Sequence, residues 1–296
     1  MSKNAFVEQK NRNISKIRYY NNIFPVEKVF MFLNSTGLDI TKRDVSYSLY
    51  NRFISLEKAT DLRLMLLDTP TRLDIGGFYL YNNSMQKRTG FAKELIFDVD
   101  YCNFCNSCDK EKKIICSSCW DRFFPSTMSA LSDILVNILK IKQNRIIFFF
   151  SGGKGFHCWV LDDRFFFISA QERRAILHVV QDLLLKKLIE LRIIHFFFPS
   201  FSYSLPDEVD SPKNSRSTED ASYKRLQLFD EAVTCEVVHT IRMPFSVHDR
   251  SGLVCVPINL SMSKFDDICV HPDDDRKLAQ CVELFDVFLF LLYDEL

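Results

Sequence analysis

Four groups of residues have types and spacing suited to chemistry. Asp98-Val99-Asp100 closes the apolar stretch Leu95–Phe97. If that stretch is a strand, side chains alternate, so Ile96, Asp98 and Asp100 share one face and the two carboxylates sit about 6.6 Å apart along it. Two such oxygen ligands suit Mg2+ or Mn2+; the same acids would also suit a solvated turn. Three of the chain's eight glycines fall in Ser151-Gly152-Gly153-Lys154-Gly155. Glycines let backbone approach an anion, and Ser151, Lys154 and His157 add donors suited to phosphate oxygens. No GxxxxGK[ST] pattern occurs there, and a plain glycine hairpin is the alternative reading. A fourth group, Arg242-Met243-Pro244-Phe245-Ser246-Val247-His248, follows His239 and comes soon after Asp230, another acid closing an apolar stretch.

The third group is sulfur. Five of ten cysteines are spaced Cys102-x2-Cys105-x2-Cys108-x7-Cys116-x2-Cys119. Two CxxC pairs joined by a short polar loop can bring four thiolates round one tetrahedral zinc ion, which would then be structural. Cys105, Cys108, Cys116 and Cys119 are the ligand set, with Cys102 a substitute for Cys105. The first three cysteines also match the start of a bacterial ferredoxin run, whose fourth would fall at Lys112 with no proline after it. The spacing therefore favours zinc.

The elements that must position these groups are legible in outline. A helix is expected over 14–37, strands over 44–56, 73–81 and 94–100, and a helix over 126–142. Strands follow at 145–150 and 156–162, with the glycine turn between them, then a helix over 170–193. Residues 203–224 are polar, with two prolines, and read as a loop. Strands at Leu228–Val233 and 254–260 and a helix over 276–293 complete the pass. Strands and helices mix without regular alternation, which predicts an α+β fold.

Composition narrows the class. At 47% hydrophobic and 26% charged over 296 residues, the chain is globular and long enough for a real core. No apolar run reaches membrane-helix length, and the N-terminus lacks a secretory apolar stretch, so a soluble intracellular protein is expected. Net charge is zero, yet Met1–Lys93 holds 15 Lys/Arg against 8 Asp/Glu. A basic front third permits contact with phosphates.

In this order the motifs resemble the catalytic small subunit of archaeo-eukaryotic DNA primase. LIFDVD followed by a cysteine segment ending CSSCW (116–120), SGGKGFHCWV (151–160) and IRMPFSVHDRSGLVCVPINL (241–260) carry the match, with looser support from YYNNIFP (19–25) and LDIGGFY (73–79). The resemblance implies one catalytic domain over 1–296, with mixed β-sheets flanked by helices. A zinc-binding insertion at 101–120 and a reduced helical subdomain at 165–225 would complete it. It implies a DNA-dependent RNA polymerase that starts primers on single-stranded DNA from ribonucleoside triphosphates. Asp98, Asp100 and Asp230 would hold two Mg2+ or Mn2+ ions. Ser151, Gly152, Gly153, Lys154 and His157 would form the triphosphate loop, Arg242 and His248 would complete its cradle, and Arg52 and Arg72 would lie round the initiating nucleotide. Implied partners are an iron–sulfur large subunit and the DNA polymerase α complex, in the nucleus. A primer-extending or repair polymerase on the same fold, and a non-catalytic zinc-bearing nucleic-acid-binding subunit, are the alternatives.

This chain departs from that pattern in places. Gly153 and Lys154 stand where eukaryotic members carry two arginines, Arg242 where lysine is usual, and the first zinc pair is spread as CxxCxxC.

Overall fold

The computed structural model describes residues 13–47, 51–100, 107–109, 111, 113–193, 228–262 and 264–294. The loop read at 203–224, together with Cys102 and Cys105, lies outside them. Among the described residues eight strands, β1 (Arg43–Tyr47), β2 (Leu73–Asn82), β3 (Lys87–Ala92), β4 (Leu95–Asp100), β5 (Ile146–Phe150), β6 (Gly155–Val160), β7 (Ile241–Arg242) and β8 (Val256–Ile258), form two sheets. The helices are α1 (Val26–Leu33), α2 (Ala59–Leu67), α3 (Ser117–Asn137), α4 (Ala170–Glu190), α5 (Glu231–Cys235), α6 (Phe265–Ile268) and α7 (Asp275–Tyr293).

The fold is α+β with antiparallel sheets flanked by helices. In the first sheet β2 is the spine: β1 and β3 pair with it, and β7 joins at its start, with Asp74 opposite Arg242. The second sheet runs β4-β6-β5-β8, all antiparallel. β8 is an edge strand, which is where Pro257, lacking an N–H, can be accommodated.

Alternating side chains send the second sheet's aromatics to two faces. Phe149 and Trp159 meet Phe32 of α1 at ring-centroid distances of 5.7 and 5.4 Å, and Phe285 of α7 packs on Phe32 at 5.5 Å. On the other face Phe150 and Phe156 meet Trp120 and Phe124 of α3 at 5.8 and 5.5 Å. Helices therefore cover both faces, and much of the phenylalanine content is core. α4 starts with a capping box from Ser169 and Glu172. Its buried Arg173 donates to the carbonyl oxygens of Glu94 and Phe165, pinning the helix beside β4. Among the described residues no helix is long and apolar enough to cross a membrane.

Several expectations change, among them the helix over 14–37, which is interrupted: a π-helical turn over Tyr19–Ile23 gives way at Phe24 and Pro25, and α1 starts at Val26. Of the strand expected over 44–56, β1 covers Arg43–Tyr47, and the described residues 52–56 are not in a strand. The helix expected from 126 begins at Ser117 and carries Pro125 inside it, because Trp120, Phe123 and Phe124 are all buried and their packing outweighs the lost backbone bond. Leu228–Val233 is not a strand. Only Phe229 bridges to β4, and Asp230 then caps α5, whose side-chain oxygen accepts from the amides of Ala232 and Val233. The polar hairpin strand β3 gave no period-2 apolar signal and was not expected.

Candidate active site

β4 delivers the first two carboxylates, and pairing places their neighbours. Asp98 lies opposite His157 on β6, and Asp100 lies opposite Gly155. The third arrives through backbone, since Phe229 bridges to Val99 and the Asp230 amide donates to the Asp98 carbonyl at 2.9 Å. Lys93, one residue before Glu94 at the head of β4, steadies the segment beyond. Its ammonium donates to the carbonyls of Val233, Glu236 and His239 at 2.7, 3.1 and 2.9 Å.

The three acids share a polar cavity of about 330 Å³ with Ser151, Lys154, His157, Arg242 and His248. Burial, with Asp100 and Asp230 close by, holds the Asp98 carboxyl well above the usual carboxylate range. Burial also raises Asp100, against the pull of Lys154, whose Nζ is 3.9 Å from Asp100 Oδ2. Asp98 Oδ1 and His157 Nδ1 are buried without a hydrogen-bond partner. A buried, unsatisfied carboxylate oxygen beside two more acids is a donor set that a hard divalent cation fits.

Opposite the acids lies the β5–β6 turn. Ser151 Oγ accepts from the amides of Gly153 and Gly155 at 3.2 and 3.3 Å, so these N–H groups serve the turn instead of pointing at an anion. Gly155 is required by close approach: a Cβ there would lie 1.6 Å from the Val99 carbonyl oxygen. Gly155→Ala is therefore expected to part β6 from β4 next to Asp100 and to cost roughly 3 kcal/mol or more in a denaturant melt. An unshifted midpoint would refute the close approach.

The Arg242–His248 segment forms the third wall. Phe245 has φ of 63°, a left-handed conformation that its surroundings must hold. Two buried tyrosines do so: Tyr19 donates to the Phe245 carbonyl at 2.7 Å, and Tyr20 accepts from the Val247 amide at 2.9 Å. That is the structural work of the YYNNIFP stretch. His248 Nδ1 accepts from the amides of Arg250 and Ser251, which leaves Nε2 to carry the proton. Burial and the Arg242 guanidinium bring His248 down to about 3, and the same causes bring His157 to about 3. Both are neutral near pH 7, donors and acceptors without charge.

Residue by residue, the cavity gathers Asp98, Asp100, Asp230, Ser151, Lys154, His157, Arg242, His248 and Arg72. Arg72 pairs with Asp74, and Asp74 Oδ1 has no partner of its own. Gly152 and Gly153 pack as backbone against His248. Arg52 is not among the lining residues; it pairs with buried Asp44 and donates to the Val238 carbonyl at 3.0 Å. Lys113, Asp249 and Arg250 also line the cavity and were not singled out from sequence. Asp249 holds Arg242 at 3.3 Å. For Lys113 a signal existed, namely the lysines of the mixed-charge loop between the cysteine pairs.

The cysteine segment abuts this site. The Ile115 amide donates to the Gly153 carbonyl at 3.1 Å, tying it to the turn. The sulfurs of Cys108, Cys116 and Cys119 lie within 4.8 Å of one another, and Cys108 and Cys119 are 3.8 Å apart. Four thiolates at about 2.3 Å from a tetrahedral zinc would be separated by about 3.8 Å. The Cys116 amide donates to Cys108 Sγ, and Cys116 stands at the N-cap position of α3. These three sulfurs fit a zinc ion.

The family model described as DNA primase small subunit matches residues 97–260. The DNA primase small subunit of Thermoplasma acidophilum is 26% identical over 298 residues, covering 92% of this chain and 86% of that one. That of Saccharomyces cerevisiae is 23% identical over 337 residues, covering 83% and 81%. Among solved structures, the polymerase domain from Mycobacterium tuberculosis Ligase D in complex with DNA has a TM-score of 0.55 at 14% identity, covering 93% of this chain and 92% of that one. This last likeness concerns the fold.

Proposed function

The chain belongs to the DNA primase small-subunit family, and from that premise we propose that it starts RNA primers on single-stranded DNA as one catalytic domain with a zinc-bearing insertion. The observation that carries this reading is the cavity in which Asp98, Asp100 and Asp230 face the Ser151–Gly155 turn, with Asp98 Oδ1 buried and without a hydrogen-bond partner.

The three carboxylates would hold two Mg2+ or Mn2+ ions. When bound, such ions supply Lewis acidity to the attacking 3′-hydroxyl and charge neutralisation at the leaving pyrophosphate. The chain's own residues do the rest. Lys154 and Arg242 set positive charge against the triphosphate, and His248 Nε2–H and the Ser151 hydroxyl are placed to donate to its oxygens. In the step itself the 3′-hydroxyl oxygen bonds the α-phosphorus, the bond to pyrophosphate breaks, and the hydroxyl proton passes to water. Cations held ready by Asp249 and the turn cost no rearrangement as charge moves to the leaving group. Lys154 supplies charge without the bidentate fork of arginine. Cys108, Cys116 and Cys119, with Cys102 or Cys105, would hold structural zinc. The partners proposed are an iron–sulfur large subunit and the polymerase α complex, in the nucleus.

The fold likeness to the Ligase D polymerase domain favours a second reading, a polymerase that extends existing primers. The primer requirement separates the two. Given single-stranded template, ribonucleotides and Mn2+, labelled dinucleotides formed without primer support the first reading. Extension only from a supplied primer supports the second.

The raised Asp98 and Asp100 carboxyls also set a pH dependence. They keep protons above the usual carboxylate range, so an incoming cation must displace them, and its affinity falls as pH falls. The half-saturating Mn2+ concentration is expected to rise as pH falls, by up to about tenfold per unit where one proton is displaced. A flat profile would show that protons and cation do not compete.

A further inference from the structure

Beside the cavity, the outer part of the first sheet carries a cationic and aromatic cluster whose outer members, Tyr81 and Arg88, are exposed. Tyr81 and Arg88 are direct cross-strand partners on β2 and edge strand β3. The Arg88 guanidinium lies 5.2 Å from the Tyr81 ring centroid and 4.4 Å from that of Phe53. Arg52 lies 5.0 Å from the same Phe53 ring, and Tyr79 meets Phe53 edge-on at 5.1 Å. Phe53 adopts φ of 62°, held by its amide's bond to Asp44 at 3.0 Å. Tyr81 is 53% exposed, and Lys87 and Arg88 are exposed beside it.

This cluster is continuous with the cavity. Tyr79 donates to the Val237 carbonyl at 3.0 Å, Arg52 donates to that of Val238, and His239 lines the cavity wall. Gly90 makes room for this crossing, since a Cβ there would sit 2.5 Å from a Val237 methyl carbon. From Asp74, beside the cavity, to Tyr81 is seven residues of β2, about 23 Å. A mononucleotide in the cavity cannot reach that far, but a polynucleotide can.

We propose that Phe53, Tyr81 and Arg88, with Arg52 linking them to the cavity, form a platform for the single-stranded template. The inference rests on the polymerase reading for its ligand. Successive bases need flat faces and their phosphates need cations, and a guanidinium already set between two rings offers both with little left to order. The excess of basic residues in the front third supplies the matching charge.

The test is an anisotropy titration of the full chain with labelled oligothymidylate at several salt concentrations, read without turnover so that loss of the catalytic reading is a separate outcome. Arg88→Ala is expected to weaken binding about tenfold and to reduce the slope of log K against log salt by about 0.7, one phosphate contact. Arg88→Lys should keep that slope, and Tyr81→Ala should weaken binding without changing it. In synthesis, Arg88→Ala should raise the template concentration needed for half-maximal rate. Wild-type affinity in both Arg88→Ala and Tyr81→Ala would overturn the platform. Equal weakening toward duplex DNA would overturn its assignment to a single strand. Both side chains are on the surface of the hairpin, so a folding defect is not expected to intervene.

Discussion

Asp98→Asn is expected to lower primer synthesis at least about 10³-fold while raising the melting temperature of the metal-free protein. The two effects have one cause. Asp98 is half-buried, but its Oδ1 is fully enclosed with no hydrogen-bond partner. His157 Nε2 stands off at 3.8 Å and two acids lie nearby, so the folded chain carries a carboxyl oxygen it does not satisfy. Asparagine keeps the shape and brings no charge, which removes that burden and stabilises the fold by about 1 kcal/mol or more. The same change removes an anionic ligand from the proposed divalent site, and oriented charge at the reacting phosphate is the largest part of such catalysis. Steady-state rates with Mn2+ and a thermal melt with chelator read the pair. Lower activity with a lower melting temperature would assign Asp98 a structural role instead.

The second large effect concerns sulfur. Cys119→Ser is expected to abolish zinc retention and to cut synthesis by more than about tenfold, with a marked fall in melting temperature. Cys119 is buried in the first turn of α3, beside Trp120, and α3 covers one face of the second sheet. The segment also bonds to the glycine turn through Ile115 and Gly153, so its loosening reaches the triphosphate cradle directly. Metal analysis should find one zinc per wild-type chain. An iron chromophore, or a variant that keeps zinc and stability, would contradict this role.

How far the sequence alone carried the account depends on where each element gets its information. LIFDVD was legible because a strand's period fixes which side chains share a face, and the pairing of Asp98 with His157 agrees with it. The SGGKG turn was legible from its glycines, though not the way Ser151 folds their amides inward. Asp230 was identified as a site candidate while its element was misread. A five-residue helix is too short to show a period, and it exists because Asp230 caps it and Phe229 docks on Val99. Arg52, expected round the nucleotide, lies outside the cavity lining, where its pairing with buried Asp44 sets it beside Phe53. Asp249 and Arg250 could not be found from sequence, since their place follows from a loop shaped by Tyr19 and Tyr20 more than 220 residues away. Long-range backbone contacts of this kind leave no local pattern.

The central claim is that Asp98, Asp100 and Asp230 hold divalent ions in common. Electron paramagnetic resonance titration of Mn2+ in the presence of a ribonucleoside triphosphate tests it most directly, on wild type and on each single Asp→Asn variant. The account predicts that every variant weakens Mn2+ binding by at least about tenfold, because each removes one anionic oxygen ligand from a shared site. Wild-type affinity in any of the three would contradict it.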